Sequence, residues 1–528
     1  VAADLDNAAI AAHLDEFAAL LELSDAQWQG VRAYRRAAEL IRGLQVPVAS
    51  LVRQGRVQQL RGVGPGIERR LRELVETGEI AELRELRRST PVELVAFARA
   101  AGLSVELALK ISEALEVSTV AELKQAALAG RLREVPGIGT RREAKTIAAL
   151  EQPSRPLRPI LLPRARELTE QIAAALGGVP AGDARRWVDA PTRFAVVAAE
   201  AAAERFAALP EIVAMLDERT GVTIDGIPVE LVLASPGELG TALVRATGPP
   251  EHLAALGPLP PADDEAGVYR ALGLPCPPPE IRGGQLDREL PELVELKQIR
   301  GDLHVHTQWS DGRATVLEMA TAGRDRGYEY LAICDHTPNV SVVPGLDGDA
   351  LRRQAVEIAA ANEALAPFRV LRGVECDIRN DGRLDVPDDV LAELDWVQLS
   401  LHAGQRTPRK ELTARVVEAM RHPAVRCLSH PTGRLIGHRP ENALDLERTI
   451  EVALEHDVAL EVNGLAPRLD LSGTHVLTAI TAGVRIVCST DAHSVRGLGG
   501  MELSVRTARR GRATAGDVLN TRPLAELL

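Results

Sequence analysis

Through about residue 150, apolar positions recur at three- and four-residue spacing in Ala-, Leu-, Glu- and Arg-rich segments such as Ala8–Leu21 and Leu71–Val75, which predicts helices broken by glycine-bearing turns. A stretch holding Pro153, Arg155, Pro156, Arg158 and Pro159 follows, and its proline spacing disfavours a continuing helix, so it reads as a linker. Residues 160–255 mix helical patterns with candidate strands at Arg193–Val197 and Ile227–Leu233, and residues 256–299 are proline-rich and read as a covering linker. From about residue 300 the texture changes. Short β-branched runs (Leu331–Cys334, Val370–Val374, Trp396–Leu401, Cys427–Ser429, Ala459–Asn463, Arg485–Ser489) alternate with helical stretches. Such alternation predicts a mostly parallel sheet, and six or seven units nearly suffice for a TIM-like barrel, in which side chains just after the strand ends line the active site.

A length of 528 residues implies roughly three or four domains. With 45% hydrophobic and 26% charged residues the chain is ordinary for a globular protein, and disorder as its main state is excluded. No apolar run reaches the roughly 18 residues of a membrane span. The start, Val-Ala-Ala-Asp-Leu-Asp, lacks the basic and apolar regions of a signal peptide, so the expectation is a cytoplasmic protein. Five scattered cysteines without a CxxC pair argue for free thiols. The net charge of −12 at first disfavours nucleic acid, but residues 1–150 carry 21 Lys+Arg against 20 Asp+Glu, so the acidity lies further on. Ten of the twelve histidines follow residue 300.

Those histidines sit where metal ligands belong. Asp302-Leu-His304-Val-His306 places two imidazoles two residues apart, on one side of a strand, and Asp311 follows. His336 comes after LAIC-Asp335, Glu375 after LRGV, His402 after VQLSL, His430 after CLS, and Asp491-Ala-His493 after VCST. At about four to five ligands per ion, nine such groups suit two or three ions, with Glu375 able to bridge. A lone histidine at a strand end is usually a core or loop residue; six in one register are not. His422, His438, His456 and His475 fall outside the pattern and read as structural.

The motifs HVHTQWSDG, CDHTP, GVEC, LSLHAG, SHPTGR, EVNG and STDAHS closely resemble the PHP (polymerase and histidinol phosphatase) family over residues 300 to about 520. The resemblance implies a distorted barrel holding divalent ions, usually zinc, manganese or iron, that hydrolyses phosphoesters. Carried over, His304, His306, Glu375 and Asp491 would hold one ion, Glu375, His402 and His430 a second, and Asp311, His336 and His493 a third. His304, Glu375 and Asp491 would carry catalysis. Arg434, in the HPTGR turn, is a candidate phosphate contact, with a plain surface arginine as the other reading.

Two further motifs lie in the helical part. Gly62-Val-Gly64-Pro-Gly66-Ile67 precedes Arg69, Arg70 and Arg72, and Pro136-Gly137-Ile138-Gly139-Thr140 precedes Arg141, Arg142 and Lys145. Glycines let a turn approach a phosphate, and the following helix N-terminus offers free N–H groups. Two copies with basic helices favour DNA-backbone binding over mere capping; such contacts position without reading sequence.

With the hairpins beside the metal domain, the chain resembles the bacterial family X DNA polymerases nearly end to end, including FAALLELSD…VRAYRRAAELI and VYRALGLPCPPPEIR. The implied architecture is multidomain: helical helix-hairpin-helix domains at 1–80 (lyase-like) and 81–158 (fingers-like), a degenerate α+β nucleotidyltransferase-like palm with a short thumb at 159–255, the linker at 256–299, and an α/β distorted TIM-like PHP barrel at 300–528. The partner implied is DNA with gaps, nicks or recessed 3′ ends, bound by a monomer. The palm departs from the family. Where an Asp-x-Asp pair belongs stand Arg193 and Ala195, with Glu230 as the best match to a third carboxylate. A residual magnesium or manganese site would need Asp183, Asp189 and Glu230. Arg70 stands where the family's lyase carries its Schiff-base lysine, and a guanidinium cannot serve as that nucleophile. The leading expectation is a repair nuclease trimming 3′ ends at the PHP site. A polymerase with a non-standard palm, a DNA-bridging scaffold with structural metals, and a small-molecule phosphatase are the competing readings.

Overall fold

The structure is a computed structural model that describes residues 7–22, 28–42, 48–60, 62–151, 160–340 and 344–527. The proline-arginine linker between Pro153 and Pro159 lies outside the described residues.

The N-terminal part is helical, as its periodicity predicts. Helices Asn7–Leu21 and Trp28–Arg42 lie against one another and against the helix Pro65–Thr77. Phe17 and Tyr34 meet edge-to-face at 4.9 Å inside a core that also holds Leu14, Ile41 and Leu71. A second helical cluster, built on Phe97, Ile111, Leu123 and Ile138, packs against Ala214 and Val222 of the following domain. Gly226, at φ +82°, lies so close to the Arg99 and Ala100 backbone that a Cβ would fall 2.3 Å from the Arg99 side chain, so only glycine fits that seam.

The next domain is a five-stranded sheet of β1 (Val179–Ala181), β2 (Phe194–Ala199), β3 (Ala214–Met215), β4 (Thr220–Val222) and β5 (Pro228–Ala234), in the order β1-β2-β5-β4-β3. Only β2 and β5 run parallel. Alternation along β2 buries both faces: Phe194 and Val196 meet the helix Leu162–Leu176, while Ala195 and Val197 meet the helix Leu239–Thr247. The proline-rich stretch that follows is ordered. Glu265 receives Arg185 at 2.6 Å and Arg282 at 2.6 Å, and Glu280 receives Arg506 at 2.7 Å and Arg509 at 2.9 Å, which straps the sheet domain to the last domain.

That last domain is a parallel barrel of β6 (Gly301–Val305), β7 (Tyr330–Ile333), β8 (Arg369–Asp377), β9 (Trp396–Ser400), β10 (Val425–Leu428), β11 (Ala459–Asn463) and β12 (Ile486–Ser489), in sequential order. A bridge from Val305 to Ala492 nearly closes it, and buried Asp302 accepts the Thr490 hydroxyl at 2.6 Å across the same seam. Residues two apart on a strand share a face. Leu371, Trp396, Ala459 and Val487 therefore face the same way as Glu375, Gln398, Glu461 and Ser489. The first four belong to one buried apolar cluster, an apolar plug on the interior face that carries the charged groups at its C-terminal end.

Candidate metal centre

The barrel brings all nine sequence-predicted ligands to the C-terminal ends of its strands. His304 and His306 leave the end of β6, Asp311 and His336 come from the loops after β6 and β7, Glu375 lies on β8, and His402, His430, Asp491 and His493 follow β9, β10 and β12. His430 (φ 26°) and Asp491 (φ 53°) occupy the left-handed backbone region, in which the chain turns sharply out of its strand.

The Nε2 atoms of His304 and His306 stand 3.1 Å apart. Asp491 Oδ1 is 3.2 Å from His306 Nε2 and 3.8 Å from His304 Nε2, and Glu375 Oε2 is 3.6 Å from each. Ligands held at about 2.1 Å from a tetrahedral ion lie about 3.4 Å from one another, so His304 Nε2, His306 Nε2 and Asp491 Oδ1 have the spacing of one coordination shell, with Glu375 Oε2 beside the two imidazoles. Glu375 faces two ways: Oε1 lies 2.9 Å from His430 Nε2 and 3.6 Å from His402 Nε2, while Oε2 lies 2.8 Å from His336 Nδ1. Asp311 lies 3.2 Å from His493 Nε2 and 3.6 Å from His336 Nε2. Three groups could hold ions: His304 with His306 and Asp491; His336 with Glu375 and His402; and Asp311 with His306, His336 and His493. His306 and His336 each serve two of them, a sharing that spacing along the chain does not reveal. His306 Nδ1, His336 Nδ1, His402 Nδ1 and Glu375 Oε2 are buried without an aligned hydrogen-bond partner. Buried polar atoms are otherwise almost always paired, so the donor set fits divalent cations.

Supporting residues fix the ring orientations. Fully buried Glu461 lies 2.6 Å from His304 Nδ1, which directs that proton to the carboxylate and leaves Nε2 free as a ligand. Its Oε1 also accepts the Gln398 amide at 2.9 Å and the Ser489 hydroxyl, and its Oε2 accepts the His430 N–H at 2.6 Å. Asp377 accepts the His402 N–H at 2.9 Å and lies 3.5 Å from its Nδ1. Asp335 accepts the Thr307 hydroxyl at 2.6 Å and the Gln354 amide at 2.6 Å, anchoring the loop that leads to Asp311.

Charge follows the geometry. Burial alone would raise Glu375, but His402, His336 and His304 hold its carboxyl well below the usual range. Asp491 and Asp311 are likewise depressed against burial by their histidine neighbours. Burial and the nearby His336 ring push His306 down to about 3, so it stays neutral. Burial opposes protonation of His336 as well, yet Glu375 and Asp311 raise it to about 10. The cluster is anionic on its carboxylates and holds protons on imidazoles where a cation would stand, so metal binding releases protons.

Arg434 requires a correction. Its guanidinium donates to Asp189 at 2.6 Å, to the Arg468 carbonyl at 2.9 Å and to the Leu469 carbonyl, so it ties the barrel to the sheet domain instead of waiting for a phosphate. The arginine that reaches the cluster is Arg468, whose Nε lies 3.5 Å from Asp491 Oδ2 and whose Nε and Nη1 have no hydrogen-bond partner.

Both glycine turns lead into a helix over buried apolar residues. In the first, Val63 and Ile67 are buried beneath Gly62 (φ +104°) and Gly64, which caps the helix Pro65–Thr77, with Gly66 in its first turn. In the second, Val135 and Ile138 are buried beneath Gly137 (φ +87°) and Gly139, ahead of the helix Thr140–Glu151. Arg69 and Arg141 are exposed on those helices, whereas Arg70 is drawn inward, paired with Glu82 and lying 5.1 Å from the Phe17 ring centre.

Residues 5–80 match the helix-hairpin-helix domain family, and residues 302–464 match the PHP domain family. The DNA polymerase/3′-5′ exonuclease PolX of Bacillus subtilis is 32% identical, with 97% of this chain and 97% of that protein aligned. The chain belongs to the PolX family. The barrel alone is also similar to shorter proteins: a probable phosphatase of Photobacterium profundum is 31% identical over 38% of this chain and 81% of its own length, and one of Caldanaerobacter subterraneus is 28% identical over 42% and 86%. Divalent-metal binding and DNA binding follow for this PolX relative from its PHP and helix-hairpin-helix domains.

The five-stranded sheet domain stands where the sequence resemblance implies a palm. At the positions expected to carry an Asp-x-Asp pair, Arg193 donates to the Gly248 carbonyl at 2.9 Å and Ala195 is buried beside Glu230 in the β2–β5 register. Asp183 accepts the N–H groups of Thr192 and Arg193, each at 3.0 Å, and Asp189 is held by Arg434 and Arg510. The expectation of a residual palm metal is therefore corrected: among the described residues the groups fit for an ion all lie in the barrel, because the palm's aspartates already have partners. Among the described residues, no helix is long and apolar enough to cross a membrane.

Proposed function

We propose that this chain is a DNA-end-processing enzyme that hydrolyses phosphodiesters in the 3′-to-5′ direction at the barrel's metal centre, with gapped, nicked or recessed duplex held by its two hairpins. The observation that carries the reading is the convergence of His304 Nε2, His306 Nε2 and Asp491 Oδ1 within 3.1–3.8 Å, with Glu375 Oε2 3.6 Å from both imidazoles and buried unpaired atoms around them. End-to-end similarity to a protein named as a polymerase and exonuclease supports DNA as the substrate.

Two or three manganese, zinc or iron ions in the three ligand groups would supply Lewis acidity and a water acidic enough to attack at neutral pH. The chain's own residues do the rest. Glu461 holds the His304 ring in the tautomer that ligation needs, and Asp377 holds the backbone of His402 through its N–H. The cation of Arg468, which lies beside Asp491 and has no hydrogen-bond partner on Nε or Nη1, would meet a non-bridging phosphate oxygen as negative charge builds up in the transition state. Gly62, Gly64, Gly66, Gly137 and Gly139 let the two turns approach backbone phosphates, and the helix N-termini behind them donate N–H groups.

The test is a gel assay on a gapped duplex with manganese, run with and without nucleotides, beside His304→Ala. Shortening that vanishes in His304→Ala is the expected result. Shortening that persists in that variant overturns the assignment, and lengthening that requires nucleotides and survives His304→Ala shows instead that the palm polymerises despite Arg193 and Ala195.

A further inference from the structure

One loop of the barrel, between Leu465 and Asp470, touches both the metal centre and the palm. Its Arg468 points to Asp491. Its next residue, Leu469, is fully buried in a small cluster with Leu162 and Trp187 of the palm. The carbonyls of Arg468 and Leu469 are both taken by Arg434, and Arg434 is in turn locked by Asp189, which also binds Arg510. Trp187 itself adopts φ +57° and lies between Arg166, 3.7 Å from its ring centre, and Arg506, at 4.8 Å. The palm thus grips the backbone of the residue whose side chain reaches the catalytic cluster. Asp189 lies in the domain that lacks its own acidic pair, yet it has two arginine partners from the barrel.

We propose that the palm is a positioning strut for the nuclease centre: Asp189, through Arg434, and Trp187, through Leu469, hold the 465–470 loop so that Arg468 stays aimed at the Asp491 edge of the cluster. This rests on the phosphate role given to Arg468 above. Asp189 and Trp187 touch no substrate atom and act only through the loop. A loop released from Arg434 lets the Arg468 guanidinium wander, and a displacement of about 1 Å in such a group lowers a rate by up to about a hundredfold.

The experiment uses the full-length protein loaded with manganese and two substrates, a gapped duplex and thymidine 5′-monophosphate p-nitrophenyl ester. The small ester needs neither hairpin nor palm to be held, so it separates positioning from DNA binding. Asp189→Asn keeps the shape of the side chain and removes its charge. It is expected to lower kcat on both substrates about ten- to a hundredfold, with bound manganese unchanged, and to cause no further loss in an Arg468→Ala background. Arg434→Lys keeps a cation for Asp189 but loses the bond to the Arg468 carbonyl. It is the second variant should Asp189→Asn fail to fold, with the same expectations. Wild-type ester hydrolysis in Asp189→Asn, or a loss that multiplies with that of Arg468→Ala, overturns the strut. His304→Ala distinguishes the two failures: persistent ester hydrolysis there refutes the metal-centre reading itself, whereas its loss beside a fully active Asp189→Asn refutes only the strut.

Discussion

Glu461→Gln is the sharpest probe of how the barrel orients its ligands. The carboxylate is fully buried and accepts at both oxygens: His304 Nδ1, the Gln398 amide and the Ser489 hydroxyl on Oε1, and the His430 N–H with the Asn463 amide at 3.2 Å on Oε2. An amide has one accepting end and one donating end, so either choice of flip sets an NH2 against at least two donors. Losing two bonds to a charged acceptor costs about 3 kcal/mol at the low end of the usual range. A barrel of this size then melts about 6–12 °C lower. If the NH2 meets His304, the ring is driven to carry its proton on Nε2, the atom that would ligate an ion, and loss of such a supporting carboxylate typically weakens metal affinity or activity about 10- to 100-fold. Manganese titration of the metal-stripped variant, followed by calorimetry and by ester hydrolysis, checks both effects. A Glu461→Gln protein with wild-type melting temperature and manganese affinity refutes the reasoning.

Two more outcomes follow from other parts of the chain. Burial would raise the Glu265 carboxyl, but hydrogen bonds from Arg185 and Arg282 bring it down to about 2 in the folded protein, against 4.5 ordinarily. That depression stabilises by about 3 kcal/mol above the ordinary value and is lost as the pH falls from about 4.5 to about 2; urea unfolding followed by tryptophan fluorescence should show the acid-side loss in the wild type and a flatter profile in Glu265→Gln, and equal slopes would contradict the clamp. Arg69→Ala and Arg141→Ala should each reduce the salt dependence of binding to gapped duplex, by about 0.9 in the log–log slope for each phosphate left unneutralised, whereas an unchanged slope would remove those helices from the DNA interface.

The candidate ligands were legible because they are local: His304 and His306 share one strand face, and the others stand on, just beyond or in the loop after a β-rich run, so their spacing exposes them. Glu461, Gln398 and Asp377 were not, since each is an ordinary polar residue on a strand until β11 and β9 are set beside the His304 ring and β8 beside His402. That Arg468, and not Arg434, reaches the cluster was hidden for a similar reason. Arg434 sits in the more suggestive HPTGR turn, but its partner, Asp189, lies 245 residues away, and no local pattern records such a pair. Helices and the longer strands matched their periodicity within a few residues, as in Ala459–Asn463. Strands β1, β3 and β4 span two or three residues each, too few for an alternation to register, and are held by the neighbours they pair with.

The central claim is that hydrolysis occurs at the barrel's metal centre, and the most direct measurement titrates manganese into metal-stripped, full-length protein while ester hydrolysis and bound manganese per chain are read together. Turnover should be absent in the stripped protein, rise as two or three ions bind, and fail to rise in Asp491→Ala or Glu375→Ala. Full turnover in the presence of chelator, or wild-type turnover in either variant, would contradict the account.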